Sequence, residues 1–293
     1  MRERAIVYLG LTYVVCAWAL NTVLLKHLIT VIDPLALTAM RFLAMTPLMF
    51  LIAKLAGVSL RFERRDLPQL VVAGAAGYGV YQYFWILGLY HTTPFANALL
   101  AGLAPIVTLA ITAALGFEHV RASRWVGACV ALFGVAIFEG AFSGRFGFRL
   151  GDILSFCAAA TFAVYNVVSA RLLQRYGPLR LVAITMFIGT LIILPGMLPA
   201  LLRQSFARMT GWDWAIFAYA VIFPIMLTFP VWNYGIAKIG AARTSLFHFA
   251  VPILTGILSV LLLGARIESY EVAGALVCIA GMAIAQRLVR IRG

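Results

Sequence analysis

Charge is what this chain has least of. Of 293 residues only 11% are Asp, Glu, Lys or Arg, and ten acidic residues stand against 23 basic ones. A soluble domain could not cover its surface with so few charges. No carboxylate falls in the middle of an apolar stretch, since Glu118, Glu139, Asp152, Glu268 and Glu271 all stand at stretch ends. Cysteines number four, and Cys16, Cys129, Cys157 and Cys278 each sit alone in an apolar stretch. Without a CxxC or a Cys/His cluster they form neither a metal site nor a disulfide framework and read as small apolar helix residues. DDxxD, HExxH and GxSxG are missing as well, which argues against an intramembrane lipid-processing enzyme. Nothing resembles a repeated filter loop, which argues against a channel.

What is present in excess is apolar, at 63% of the chain. Stretches of about 20 apolar residues, enough to cross ~30 Å of hydrocarbon, recur ten times. The spans read as 5–27, 34–55, 67–89, 94–115, 122–140, 150–171, 179–200, 212–236, 242–263 and 269–288. Loops between them are short, leaving no room for a soluble domain. Ala17-Trp18-Ala19 loosely fits a cleavage site, but the apolar run resumes at Val23, so the first span reads as an uncleaved helix.

The chain also repeats. Shifted by 145, Asn21 falls on Asn166, Lys26 on Arg171 and Phe42 on Phe187; shifted by 147, Trp85 falls on Trp232, Pro105 on Pro252, Gly127 on Gly274 and Gly134 on Gly281. Five crossings per copy turn the second copy upside down. The expected fold is an all-α membrane protein of ten transmembrane helices, built as two inverted five-helix repeats, 1–145 and 146–293, around a central cavity. Inverted repeats build the alternating-access machinery of secondary transporters. With the N-terminus in the cytoplasm, sixteen Lys and Arg fall inside, among them Arg61, Arg64, Arg65, Arg171 and Arg175. Six fall outside, including Lys26, Arg145, Arg149 and Arg203, and Arg41 lies within a span. The net charge of +13 is thus a topology signal with both termini cytoplasmic, not a nucleic-acid footprint.

Gly151-Asp152-Ile153-Leu154, then Ala163-Val164-Tyr165-Asn166 and Arg171, opens the second copy. Asn97-Ala98-Leu99-Leu100 leads to Pro105, Leu115-Gly116-Phe117-Glu118, Gly127 and Gly134; Thr244-Ser245-Leu246 leads to Pro252, Leu263-Gly264, Gly274 and Gly281. In this order, over nearly the whole chain, the set resembles the drug/metabolite transporter superfamily, specifically its EamA-type ten-helix exporters. The resemblance implies a bacterial inner-membrane exporter of small metabolites, with a cavity lined mainly by spans 1, 3, 4, 6, 8 and 9. The aromatic-rich third span points to the aromatic amino-acid exporter branch. The leading expectation is therefore export of amino acids, aromatic ones included, or similar small metabolites. A multidrug or sugar-derivative exporter of the same fold is the alternative. The expected partners are a small-molecule substrate and the bilayer, with no nucleic acid, no cofactor and no metal, in a monomer.

The third span holds Gly74, Gly77 and Gly79 with Tyr78, Tyr81, Gln82 and Trp85; its mate holds Pro224 and Pro230 with Trp232. Glycines and prolines at matching places in two halves point to a midplane binding region with a compliant backbone, so Pro224 and Pro230 are expected to gate. An interfacial aromatic belt accounts for Trp85, Tyr90, Trp232 and Tyr234 near span ends, but not for the deeper Tyr78, Tyr81 and Gln82. The candidate cavity set is Tyr78, Tyr81, Gln82, Trp85 and Trp232 with Trp18, Asn21, Asn97, Tyr165, Asn166 and His248; a belt is the competing role for Trp85 and Trp232, and interhelical ties for each Asn. His248, between two Phe residues toward the cytoplasmic side, is either a proton-exchanging group or a packed neutral ring. Arg41 is expected to snorkel outward or pair with Asp33, with attraction of a substrate carboxylate as its functional alternative. Asp152 reads as a helix N-cap. Gly127/Ala131/Gly134 and Gly274/Cys278/Gly281/Ala285 read as a structural seam. A buried carboxylate is the usual counter-ion for a cationic drug, so its absence favours a neutral or zwitterionic substrate.

Overall fold

A computed structural model describes residues 2–115, 122–141, 149–240, 244 and 247–287. Glu118, Arg145, Ser245, Leu246 and the expected junction between the repeats lie outside these. Helices succeed one another: α1 (Arg2–Leu28), α2 (Pro34–Leu55), α3 (Leu67–Gly74), a π-helical turn Ala75–Gly79, α4 (Val80–His91), α5 (Pro94–Ala101), α6 (Ala104–Ala114), α7 (Ala122–Phe138) and α8 (Leu150–Arg203). After these come α9 (Gly211–Val221), a second π-helical stretch Ile222–Leu227, α10 (Thr228–Ile239), α11 (Ala250–Leu263) and α12 (Ser269–Arg287). Among the described residues there is no strand. Among the described residues six helical stretches are long and apolar enough to cross a membrane, and three shorter apolar ones accompany them. The molecule is an all-α, multi-pass membrane protein.

Helix α8 spans 54 residues and is broken at Gly177, whose φ of +69° only glycine adopts readily. Pro178 comes next and cannot supply an N–H, so the chain turns there. At 1.5 Å per residue a straight helix of this length would run about 80 Å, far beyond a bilayer core. The sequence expectation of two spans meeting near 175 is met in this form. The fourth span departs from expectation: it breaks at Gly102-Leu103, because Pro105 begins a new helix in α6. Helix α2 starts on Asp33, whose carboxylate accepts from the amides of Leu35 and Ala36 at 2.8 and 3.0 Å. Asp152 is not itself the cap of α8. It lies in the first turn and accepts from the amide of Arg149 at 2.8 Å and the hydroxyl of Thr92 at 2.6 Å.

Polar contacts gather at the two ends of the bundle. At one end, Lys26 donates to the carbonyls of Leu89, Tyr90 and Thr92, His27 meets Asp213 at 2.8 Å, and the amide of Asp33 donates to Gln204. At the other, Arg175 and Tyr176 each donate to Asp66 at 2.6 Å. The Tyr176 hydroxyl first, and Arg175 with it, hold the Asp66 carboxyl below its usual range. Loops around residues 26–33, 89–92 and 204–213 thus share one end and those around 63–66 and 175–176 the other, as the charge pattern sorts them.

Helices α7 and α12 form a seam of small residues. A Cβ added at Gly127 would fall on the backbone of Ala285, one at Gly134 on Cys278, one at Gly274 on Phe138 and one at Gly281 on Ala131. One index rises as the other falls, so the helices run antiparallel. Backbones this close gain dispersion and leave no room for any larger residue.

Candidate functional site

Between α1, α2, α4, α5 and the π-helical stretch 222–227 lies a cleft of about 500 Å³, counting the space at its open mouth. Helix α1 contributes Trp18, Asn21 and Thr22, α2 contributes Arg41, and α4 contributes Tyr81, Gln82 and Trp85. Pro224 and Ile225 come from the π-helical stretch, Phe229 from α10, and His248 closes the wall. No carboxylate is among the lining residues.

Trp18 is the hub. Its ring lies 5.0 Å from Trp232, 5.3 Å from His248, 5.9 Å from Phe229 and 6.2 Å from Phe162. Its indole N–H donates to the Pro224 carbonyl and to the Thr228 hydroxyl, both at 2.8 Å. One residue of α1 is thereby tied to the helix that carries the prolines. Aromatic rings supply large apolar area at little rotamer cost, and polar groups set among them fix orientation. Those polar groups are present and underused: Asn21 Oδ1, Gln82 Oε1, His248 Nδ1 and Arg41 Nη1 are buried without a hydrogen-bond partner.

Eight of the residues given a role from sequence meet in this wall: Trp18, Asn21, Arg41, Tyr81, Gln82, Trp85, Pro224 and His248. The other cavity and gating candidates do not line it. Trp232 packs at a tilt against Trp18. Tyr78 and Tyr165 are fully buried behind the wall, their hydroxyls 3.5 Å apart, with Asn233 Nδ2 donating to Tyr165 at 2.9 Å. Gly77 exists for this contact, because a Cβ there would strike the Tyr165 ring. Asn97 is an interhelical tie, donating to Ser155 at 2.9 Å and to the Trp85 carbonyl at 3.2 Å. Asn166 is buried off the lining, unlike its repeat mate Asn21, and Pro230 is half-buried in α10.

Trp85 and Trp232 are 8% and 1% exposed, so the competing belt role does not account for them; Trp85 lines the cleft and Trp232 does not. The expectation for Arg41 fails. Arg41 neither snorkels nor pairs with Asp33. It is completely buried and enters the cleft wall, donating to the Ala220 carbonyl from Nε at 3.4 Å and Nη2 at 3.3 Å. Pro224, four residues on, has no N–H to offer that carbonyl, so Arg41 serves an acceptor the proline leaves short. Sequence reasoning misjudged Arg41 because α2 is apolar on every side, so no polar stripe marks which face turns inward. The one available signal was a basic residue two turns inside a span.

The wall, its aromatic hub and the kinked helices around it belong to a chain with recognisable relatives. The profile of the EamA-like transporter family matches residues 5–139 and again residues 149–286. An uncharacterised transporter, YyaM, of Bacillus subtilis is 27% identical over 92% of this chain and 89% of its own length. The protein named aromatic amino acid exporter YddG of Ancylobacter novellus is 26% identical over 88% of this chain and 90% of its own. A protein of Streptantibioticus cattleyicolor named a probable terminal-alkyne amino-acid exporter is 27% identical over 78% and 75%. A crystal structure with 23% sequence identity superposes over 98% of both chains with a TM-score of 0.69, which shows the shared fold. Two profile matches that together span most of the sequence, on an all-α bundle with a cleft between its helices, place this chain in the EamA-like transporter family.

Proposed function

We propose that the protein exports amino acids, aromatic ones among them, or closely similar metabolites across the bacterial inner membrane by alternating access. The observation that carries this reading is the cleft: an aromatic wall with unpartnered amide and guanidinium groups and no lining carboxylate. Such a wall suits a zwitterion with an apolar side chain better than a cationic drug, whose charge would want a buried carboxylate. Relatives named as amino-acid exporters support it. Purified protein in liposomes should show counterflow with labelled phenylalanine or another amino acid from a panel. Movement of a cationic dye or a sugar derivative, with no amino acid moving, would replace this reading with the multidrug or sugar-derivative alternative.

The architecture we propose is ten crossings in two inverted repeats, 1–145 and 146–293. Counting kinked α8 as two crossings and the three shorter apolar helices as one each gives ten. The seam supports the inversion: the pair Gly127–Ala285 becomes Gly274–Phe138 when each index is moved by 147, and Gly134–Cys278 becomes Gly281–Ala131. Two antiparallel helices that exchange places this way are related by a two-fold axis. With both termini cytoplasmic, a single Cys placed near residue 63 should label only from the cytoplasmic side, and periplasmic labelling there would sink this topology.

Trp85, in the cleft wall, and Tyr78, behind it, are expected to behave differently. Trp85→Ala should weaken transport affinity about tenfold through lost contact area, with the fold intact. Tyr78→Ala should instead cost about 3 kcal/mol of stability, since it opens a cavity behind the wall. Transport KM in liposomes and thermal melting in detergent check this; an unchanged KM in Trp85→Ala would return that residue to packing, and an unshifted KM in Tyr78→Ala is the result expected.

A further inference from the structure

Of the residues lining the cleft, Arg41 alone carries a permanent charge. It is 0% exposed and enters none of the ion pairs found among the described residues. A guanidinium has five N–H donors in a planar fork. Here two atoms share one carbonyl at 3.3–3.4 Å, at the long limit for such bonds, and Nη1 has no partner. An unpaired cation inside a membrane protein is costly, and one kept facing a cleft is offset once an anion enters. Satisfying the Ala220 carbonyl does not account for it, because one neutral donor would do that without bringing a charge.

We propose that Arg41 seats the carboxylate of the exported substrate, and that the substrate class is an α-amino acid held as its zwitterion. This rests on the amino-acid reading above. The fork of Arg41 matches a carboxylate and can bind it with two parallel hydrogen bonds. Asn21 Oδ1 and Gln82 Oε1 are buried acceptors on the same wall, each without a donor. An ammonium carries three donors and supplies what they lack. Trp18, Trp85 and Phe229 then take the apolar side chain. The lining thus offers a group for each part of an amino acid. It offers no carboxylate that would let a plain amine bind as well.

The test is competition against labelled phenylalanine counterflow in liposomes, using phenylalanine amide, phenethylamine, 3-phenylpropionate and glucose 6-phosphate. In the wild type, unlabelled phenylalanine should compete at least tenfold better than its amide or phenethylamine. Arg41→Gln should weaken phenylalanine about 10- to 30-fold, the scale of charge-assisted hydrogen bonds, and erase the preference for the acid. Arg41→Lys should recover part of that preference through its charge. Equal competition by acid and amide in the wild type overturns the proposal even if neither variant folds. So does a folded Arg41→Gln protein that keeps the preference, which would make Arg41 only a support for the Ala220 carbonyl. Stronger competition by glucose 6-phosphate than by any carboxylate overturns the carboxylate assignment. If no amino acid exchanges but 3-phenylpropionate does, in a manner dependent on Arg41, the amino-acid reading falls and the carboxylate seat stands.

Discussion

Gly134→Val should leave almost no folded protein. A Cβ at this position falls on the backbone of Cys278 in the facing helix, and backbone cannot rotate aside as a side chain can. Relief therefore requires α7 and α12 to move apart. That opens Gly127 from Ala285, Gly281 from Ala131 and Gly274 from Phe138 together. Overpacking typically costs about 1–3 kcal/mol where side chains can yield; here the cost should exceed ~4 kcal/mol, a large part of an ordinary stability of about 5–15 kcal/mol. Gly281→Val should fail alike, because its Cβ falls on the backbone of Ala131, a second contact of the same seam made from the other helix. Gly196→Ala is the control, since nothing lies within 4 Å of a Cβ there. Size-exclusion profiles and melting in detergent are the readouts. A monodisperse Gly134→Val protein that melts with the wild type would refute the close seam.

That seam was legible in the sequence because small residues at helical spacing have one physical use in a membrane, close approach of backbones. The helix starts at Pro34 and Pro94 were legible for a similar reason: in the first turn proline gives up no intrahelical hydrogen bond. The cleft was legible in part. Trp18, Tyr81, Gln82 and Trp85 lie where the mid-span polar and aromatic residues suggested. What sequence reasoning could not supply was facing. A membrane helix is apolar toward lipid and toward its neighbours alike, so periodicity does not separate the two sides. Arg41 in α2 is the residue whose environment this ambiguity hides. Depth is no surer guide: Trp232 stands near the end of its span, yet it is 1% exposed and its ring lies 5.0 Å from that of Trp18. The break at Gly102-Leu103 was hidden because an apolar run reads the same whether or not its helix is continuous.

Replacing both Pro224 and Pro230 by Ala should lower turnover about 100-fold while leaving substrate binding nearly intact. The π-helical stretch Ile222–Leu227 contains Pro224, and the stretch Ala75–Gly79 begins at its counterpart 147 residues earlier. Both halves thus carry the same irregularity at the same place, one around Pro224 and the other around Gly77 and Gly79. A π-turn is a local loss of the tight backbone ladder, found often at functional sites. Pro224 also holds the cleft together, since its carbonyl accepts from Trp18 at 2.8 Å and from the Thr228 hydroxyl at 2.6 Å. Alanine keeps that carbonyl and restores the N–H, so the stretch can close into regular α-helix. A proline inside a helix costs about 3 kcal/mol; if its removal favours one access state by that much, the other state falls about 100-fold in population. Rocking one repeat against the other needs both states, so the cycle slows without the cleft losing its contacts. Pro224→Ala should account for most of the loss, because Pro224 lines the cleft and Pro230 does not. Binding by scintillation proximity and turnover in liposomes separate the two effects. Unchanged turnover in a well-folded double variant would leave the prolines as shapers of packing and move the compliant element to residues 75–79.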